Sequence, residues 1–167
     1  EISIMYFKST DNTDGFFPLS ENFHENGILK KTIAPTILND AIKDELKLKT
    51  KKLSENLNFY GIIAIELFEL VDGSIIFNEI APRPHNSFHW TLDGCENSQF
   101  DILIRTICGL PVKDVKCNTK WEMKNIIGDD ANNLNEIYSN QNYLLNLYGK
   151  KNIKAGRKMG HYNRQII

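Results

Sequence analysis

Gly61-Ile62-Ile63-Ala64-Ile65-Glu66-Leu67-Phe68-Glu69-Leu70-Val71-Asp72-Gly73-Ser74-Ile75-Ile76-Phe77-Asn78-Glu79-Ile80 reads as two β-strands folded back on each other. The runs Phe59 to Leu70 and Ser74 to Ile80 are rich in β-branched and aromatic residues, and Asp72-Gly73 between them is a turn signal. A turn centred on that pair sets a register in which Glu66 stands opposite Glu79. This holds for a two- or four-residue loop and fails for a three-residue loop with a bulge. Alternation then puts Ile62, Ala64, Phe68 and Leu70 on the face of Glu66, with Phe77 and Ile75 beside Glu79. Two carboxylates share an apolar surface with Cβ atoms about 4.5 to 5.5 Å apart, and like charges so placed are destabilising unless neutralised. Three readings stay open: a hard divalent cation, magnesium above all, completed by phosphate and water; a single shared proton; or no function. Zinc is disfavoured because the hairpin offers no His or Cys.

The chain leaves this hairpin through Ala81-Pro82-Arg83-Pro84-His85-Asn86-Ser87-Phe88-His89-Trp90. Two prolines make it an irregular loop, either a rigid connector or, directly after a candidate metal ligand, a set of donors for phosphate and a planar heterocycle. Upstream, residues 1 to 7 read as a strand, and Asn26-Gly27 predicts a hairpin between Glu21 to Glu25 and Ile28 to Ile33, ended by Pro35. Thr36 to Asn58 has good helix formers, with Leu38, Ile42, Leu46, Leu53 and Leu57 as its apolar stripe. Downstream the pattern predicts a helix over Asn97 to Cys108, stopped by Gly109 and Pro111, a strand over Glu122 to Ile127, a helix over Leu134 to Leu147 and a strand over Lys158 to Ile167. Composition shifts toward Asn, Lys and Asp after Pro111, so a main unit of residues 1–111 and a small unit of 112–167 are expected. The class is α+β.

With 41% hydrophobic and 25% charged residues over 167 positions, the chain is globular rather than disordered or fibrous. No apolar stretch is long enough to cross a bilayer and no secretory leader opens it, so a soluble, cytoplasmic protein without a membrane partner is expected. Glu1 is not Met and a strand begins at once, which suggests part of a longer polypeptide. Cys95, Cys108 and Cys117 are odd in number and lack a C-x-x-C pair, and all three are expected to be reduced packing residues. Residues 150 to 164 carry six basic side chains and none acidic, against 14 basic and 21 acidic before them. Lys150, Lys151, Lys154, Arg157, Lys158 and Arg164 are interleaved with Ile153, Met159 and Tyr162. A solvated face, a phosphate site and a nucleic-acid surface all fit, the last least well.

Gly61 to Phe68, Asn78 to Ser87, Ser98-Gln99-Phe100 and Cys108 to Pro111, in that order, resemble the ATP-grasp family, and within it the branch that carboxylates aminoimidazole ribonucleotide in purine synthesis. Glu21 to Leu29 and Gly156 to His161 extend the likeness nearly end to end. The resemblance implies an ATP-grasp C-terminal subdomain, an antiparallel sheet with packed helices, plus a small C-terminal β-rich unit. It implies ATP and Mg2+ as cofactors, with ATP, bicarbonate and aminoimidazole ribonucleotide as small-molecule partners, no nucleic acid, and a homodimer in the complete protein. By resemblance Glu66 and Glu79 hold the metal, with Asn78 beside them at the nucleotide, and Glu1 and His24 contact the nucleotide. His85 and Asn86 line the substrate region, Arg83 and His85 act in catalysis, and Lys150 and Arg157 take the ribonucleotide phosphate. Phe88 stands where the family usually has Gly, which puts a bulky ring near the substrate, and Ala155 replaces a common proline. Members carry a further domain and the lysine-bearing half of the nucleotide clamp ahead of this segment, which implies that the chain alone is inactive. Another ATP-grasp ligase, such as a transformylase, and a binding module without chemistry remain the competing readings.

Overall fold

The computed structural model describes residues 1–166. In chain order the strands are β1 (Ile2–Lys8), β2 (Asp14–Phe16), β3 (Ser20–Glu25), β4 (Ile28–Ala34), β5 (Gly61–Glu69), β6 (Ile75–Ala81), β7 (Lys120–Ile127), β8 (Leu144–Leu147) and β9 (Lys158–Ile166), and the helices are α1 (Asp40–Asn56), α2 (Thr91–Gly94), α3 (Gln99–Ile107) and α4 (Leu134–Ser139). The strands form one antiparallel sheet in the order β6-β5-β1-β3-β4-β7-β9-β8, with β2 attached to β1. This is the α+β architecture expected. The compositional break after Pro111 falls in the coil between α3 and β7, and the sheet runs across it through the pairing of β4 with β7. Among the described residues no helix is long and apolar enough to cross a membrane.

Alternation along β1 and β5 divides the core between the two faces of the sheet. Ile2, Ile4, Ile63, Ile65 and Leu67 face α1, whose Leu46 is buried and whose Ile42 and Leu53 pack partly against them. Met5, Phe7, Ile62 and Ala64 face the other way, onto Phe88, Trp90 and Ile102 from the loop after β6 and from α3. Asn39 caps α1 by accepting from the Ala41 N–H, so the helix begins later than its apolar stripe suggests. Ser98 and Asp101 form a reciprocal capping box that fixes the start of α3.

Three sequence expectations are corrected. The helix expected over Leu134 to Leu147 stops at Ser139: the Asn140 side chain accepts from the Asn142 N–H (3.0 Å), and the next residues pair with β9 as β8. Cys95 and Cys117 are not reduced packing residues but a disulfide, held together where Glu96 N–H donates to the Lys116 carbonyl (3.1 Å); Cys108 is free and exposed. The β5–β6 loop has three residues, closed by Leu70 N–H to the Ser74 carbonyl, so the register near the turn is one residue off, and a bulge at Asn78 restores it. Phe77 and Ile75 consequently lie opposite Leu67 and Glu69, and Phe77 turns toward α1 rather than sharing the face of Glu79. The last expected strand is present to Ile166, and Ile167 lies outside the described residues.

Candidate functional site

Beyond the bulge, Glu66 stands directly opposite Glu79, as the turn reading expects, by a different route. Glu66 is 7% exposed and lies across from Ser3 of β1, at the end of the apolar face carrying Met5, Ala64 and Phe88. Glu1 immediately precedes β1, and β3 brings His24 to it: His24 Nδ1 is 3.2 Å from Glu1 Oε2. An extra residue at Lys30 of β4 shifts the β3–β4 register at His24. One ligand atom from each of Glu1, His24 and Glu66 lies within 4.8 Å of the others.

From the loop after β6, His85 Nδ1 approaches Glu66 Oε1 (3.6 Å) and lies 2.9 Å from Ser87 Oγ. Glu66 Oε1 and both amide atoms of Asn86 are buried without a hydrogen-bond partner, and the buried Glu1 Oε2 and His24 Nδ1 have only each other, 3.2 Å apart and not aligned as a hydrogen bond. Buried polar atoms are nearly always paired, so such a concentration marks the place of a ligand. Burial pushes the Glu66 carboxyl up to about 7, and the charges of Glu1 and Glu79 add to the effect. Burial pushes the His85 imidazole down to about 4, helped by Arg83, and also holds His24 below its ordinary range despite Glu1.

Glu79 and Asn78 are exposed at the mouth of this cluster, as is Arg83, whose guanidinium donates to the Pro84 carbonyl (3.0 Å). Phe88 is fully buried in edge contact with Phe17 at 6.1 Å, so its ring fills the core instead of crowding a substrate. Lys150 donates to the Lys158 carbonyl and Arg157 to the Asn152 carbonyl, which ties both to the turn between β8 and β9. The basic run adds one more candidate for the site. Lys158, half-buried at the start of β9, has its ammonium pushed down by burial while Glu66 and Glu79 act against that fall, so it lies in the field of both carboxylates. Its charge was visible, but only the curvature of the sheet brings it there. The fit to a hard cation is good: oxygen donors dominate, one carboxylate is buried without a hydrogen bond, and the charges of Glu1 and Glu79 both bear on it.

Comparison with known proteins matches residues 1–100 to the ATP-grasp domain and residues 122–164 to the phosphoribosylaminoimidazole carboxylase C-terminal domain. The chain is 37% identical over 164 residues to N5-carboxyaminoimidazole ribonucleotide synthase of Brucella melitensis biotype 1, covering 98% of this chain and 45% of that protein. It is 40% identical over 162 residues to the enzyme of the same name from Bacillus subtilis, covering 96% and 43%. A solved structure of N5-carboxyaminoimidazole synthase from Aspergillus clavatus, in complex with ADP and 5-aminoimidazole ribonucleotide, superposes with a TM-score of 0.90 at 32% identity, over 99% of this chain and 46% of that one. The chain thus spans a little under half the length of these relatives. By the match of its first hundred residues, the chain belongs to the ATP-grasp family.

Proposed function

We propose that this chain forms the C-terminal part of an ATP-dependent carbon–nitrogen ligase that carboxylates aminoimidazole ribonucleotide. In that reaction a bicarbonate oxygen attacks the γ-phosphorus of ATP, giving carboxyphosphate and ADP. Carboxyphosphate breaks down to carbon dioxide and phosphate, and the exocyclic amine attacks the carbon dioxide and loses a proton to give the N5-carboxylate. The observation that carries the reading is the set of buried polar atoms on Glu1, His24, Glu66 and Asn86 that make no aligned hydrogen bond within the chain, which a nucleotide, its cation and a small polar substrate would complete. Names of the relatives supply the substrate class.

Glu66 and Glu79 would hold Mg2+, with Asn78 beside them, and Glu1 and His24 would contact the nucleotide. Bound there, magnesium neutralises charge on the phosphates during transfer. Burial pushes the His85 imidazole down to about 4, so it would meet the substrate in catalysis as a neutral hydrogen-bonding ring that orients the amine rather than as a cation paired with phosphate charge. Asn86 offers an amide donor and acceptor to the same region, and Arg83 lies close enough to act on His85 electrostatically. Lys150 and Arg157 would take the ribonucleotide phosphate, with Lys158 between them and the carboxylates.

The test is ADP formation by the protein carrying this chain together with the half found in its relatives. Turnover should require both bicarbonate and aminoimidazole ribonucleotide, and Glu79→Gln should abolish it without changing the circular dichroism spectrum. ATP turnover indifferent to the ribonucleotide, or preferring glycinamide ribonucleotide in competition, would overturn the assignment.

A further inference from the structure

His89, Ser98-Gln99-Phe100 and Gly160-His161 have no part in the site just described, yet the fold joins them. Gln99, fully buried at the first turn of α3, uses its whole amide on the loop after β6. Its Oε1 accepts from the His85 N–H (2.8 Å), and its Nε2 donates to the His85 carbonyl (3.0 Å) and lies 2.9 Å from His89 Nδ1. An amide nitrogen only donates, so His89 Nδ1 is an acceptor and the ring is the neutral Nε2–H tautomer. That ring stacks on Phe100 (centroids 5.6 Å, planes 20° apart) and on His161 of β9 (4.9 Å, 19°). His161 Nδ1 is 2.8 Å from the Tyr148 hydroxyl, and the Tyr148 ring carries the Lys150 ammonium at 5.4 Å. Asn163 of β9 fastens the same place by donating to the His89 carbonyl (3.2 Å) and to Asp93 (2.6 Å).

An unbroken run of contacts therefore leads from His85 to Lys150. A purely structural contact between β9 and the loop could be made with aliphatic side chains at no desolvation cost. Two buried imidazoles, a fully used glutamine and a phenol instead fix distance and angle, because hydrogen bonds and ring planes tolerate little displacement. We propose that Gln99, His89, His161 and Tyr148 are positioning residues for the ribonucleotide. They set the separation between the loop that meets the reacting imidazole and the turn that meets its phosphate. The inference rests on the reading of His85 and Lys150 as substrate contacts.

The experiment is steady-state kinetics on the protein containing both halves, comparing Gln99→Leu, Tyr148→Phe and the double variant. Tyr148→Phe, which removes one buried hydrogen bond, should raise KM for aminoimidazole ribonucleotide about five- to tenfold, Gln99→Leu, which removes three, should raise it at least as much, and both should leave KM for ATP unchanged. Gln99 and Tyr148 share no hydrogen bond, yet because one network joins them the double variant should fall well short of the product of the singles. Should Gln99→Leu not fold by thermal melt, Gln99→Glu is read on the same scale, since it keeps the acceptor for His85 and loses both donations. Unchanged KM for the ribonucleotide, an equal rise for ATP, or effects that multiply would each overturn the network. Absence of ribonucleotide-dependent turnover in the unmutated protein would instead overturn the functional reading beneath it.

Discussion

Glu66 is a residue whose fold and chemistry pull in opposite directions. Its carboxyl lies in an apolar setting beside two other acidic groups, and burial raises its pKa from 4.5 to about 7. A raised folded-state pKa means that the native state holds the proton more tightly than the unfolded chain. Stability from this group is fully present below pH 4.5 and is lost as pH rises through about 7. Without divalent cations, Glu66→Gln is therefore expected to raise the melting temperature at pH 8 and to lose that advantage at pH 5. Melting curves at the two pH values in chelator check this, and a gain of equal size at both would count against it. His85 shows how residue identity and setting combine: its place after Asn78-Glu79 was legible, whereas its neutrality comes from burial under a loop whose path no local pattern encodes. Phe88 reads as an obstacle in the sequence and turns out to be core, because the turn Asn86–Phe88 rotates it onto Phe17.

At the scale of elements, the β5–β6 hairpin is the most instructive. Turn chemistry predicts the pairing of Glu66 with Glu79 for a two- or four-residue loop; the loop has three residues, and the pairing is met only because the bulge at Asn78 cancels the odd loop. Period-two patterns do not report bulges, which insert an unpaired residue, so the turn of Phe77 and Ile75 toward α1 could not be read. The split of the expected last helix has a similar cause. The apolar residues of 134 to 147 suit either state, and the edge offered by β9, more than 10 residues further on, decides for a strand beyond Asn140. Gly160 makes that edge possible. A Cβ there would come within 2.5 Å of the Asn146 carbonyl and 3.2 Å of the Leu147 Cα, backbone atoms that cannot rotate aside. Gly160→Ala is expected to part β8 from β9 at a cost of about 1 to 3 kcal/mol. Hydrogen exchange should quicken at the β8 amides first, and protection unchanged there would contradict the packing argument.

Across the whole molecule the sheet curls. From β5 to β9 there are five inter-strand steps, about 24 Å if the sheet were flat at the usual spacing. Yet Lys158 on β9 lies in the field of Glu66, and His161 stacks on His89 from the loop that follows β6. The order of strands and the sign of each patch were partly readable from turns and composition. Their convergence was not, since accumulated twist belongs to no single segment. The curl also encloses the histidines. Burial holds all four, His24, His85, His89 and His161, below their ordinary pKa of 6.5, with His161 at about 4 and His89 at about 3. Groups depressed in this way contribute stability that is fully present above pH 6.5 and is lost as pH falls through their folded-state values. The histidines therefore pull the melting temperature down between pH 6.5 and 4, against the gain from Glu66, and His161→Phe should raise the melting temperature at pH 4 relative to that at pH 6.5; an unaltered difference would exclude His161 from the titration.

The pairing of β4 with β7 carries a mechanical corollary. Thr32 and Met123 sit at the seam between the segments matched by the two domain families, and a hydrogen-bonded ladder crosses it. Backbone rungs stretch far less readily than side chains swing, so, on the proposed function, the gap between Glu66 and Glu79 on one side and Lys150 and Arg157 on the other would work as a gauge block: a guest molecule would have to match its length, because the walls yield little to meet it.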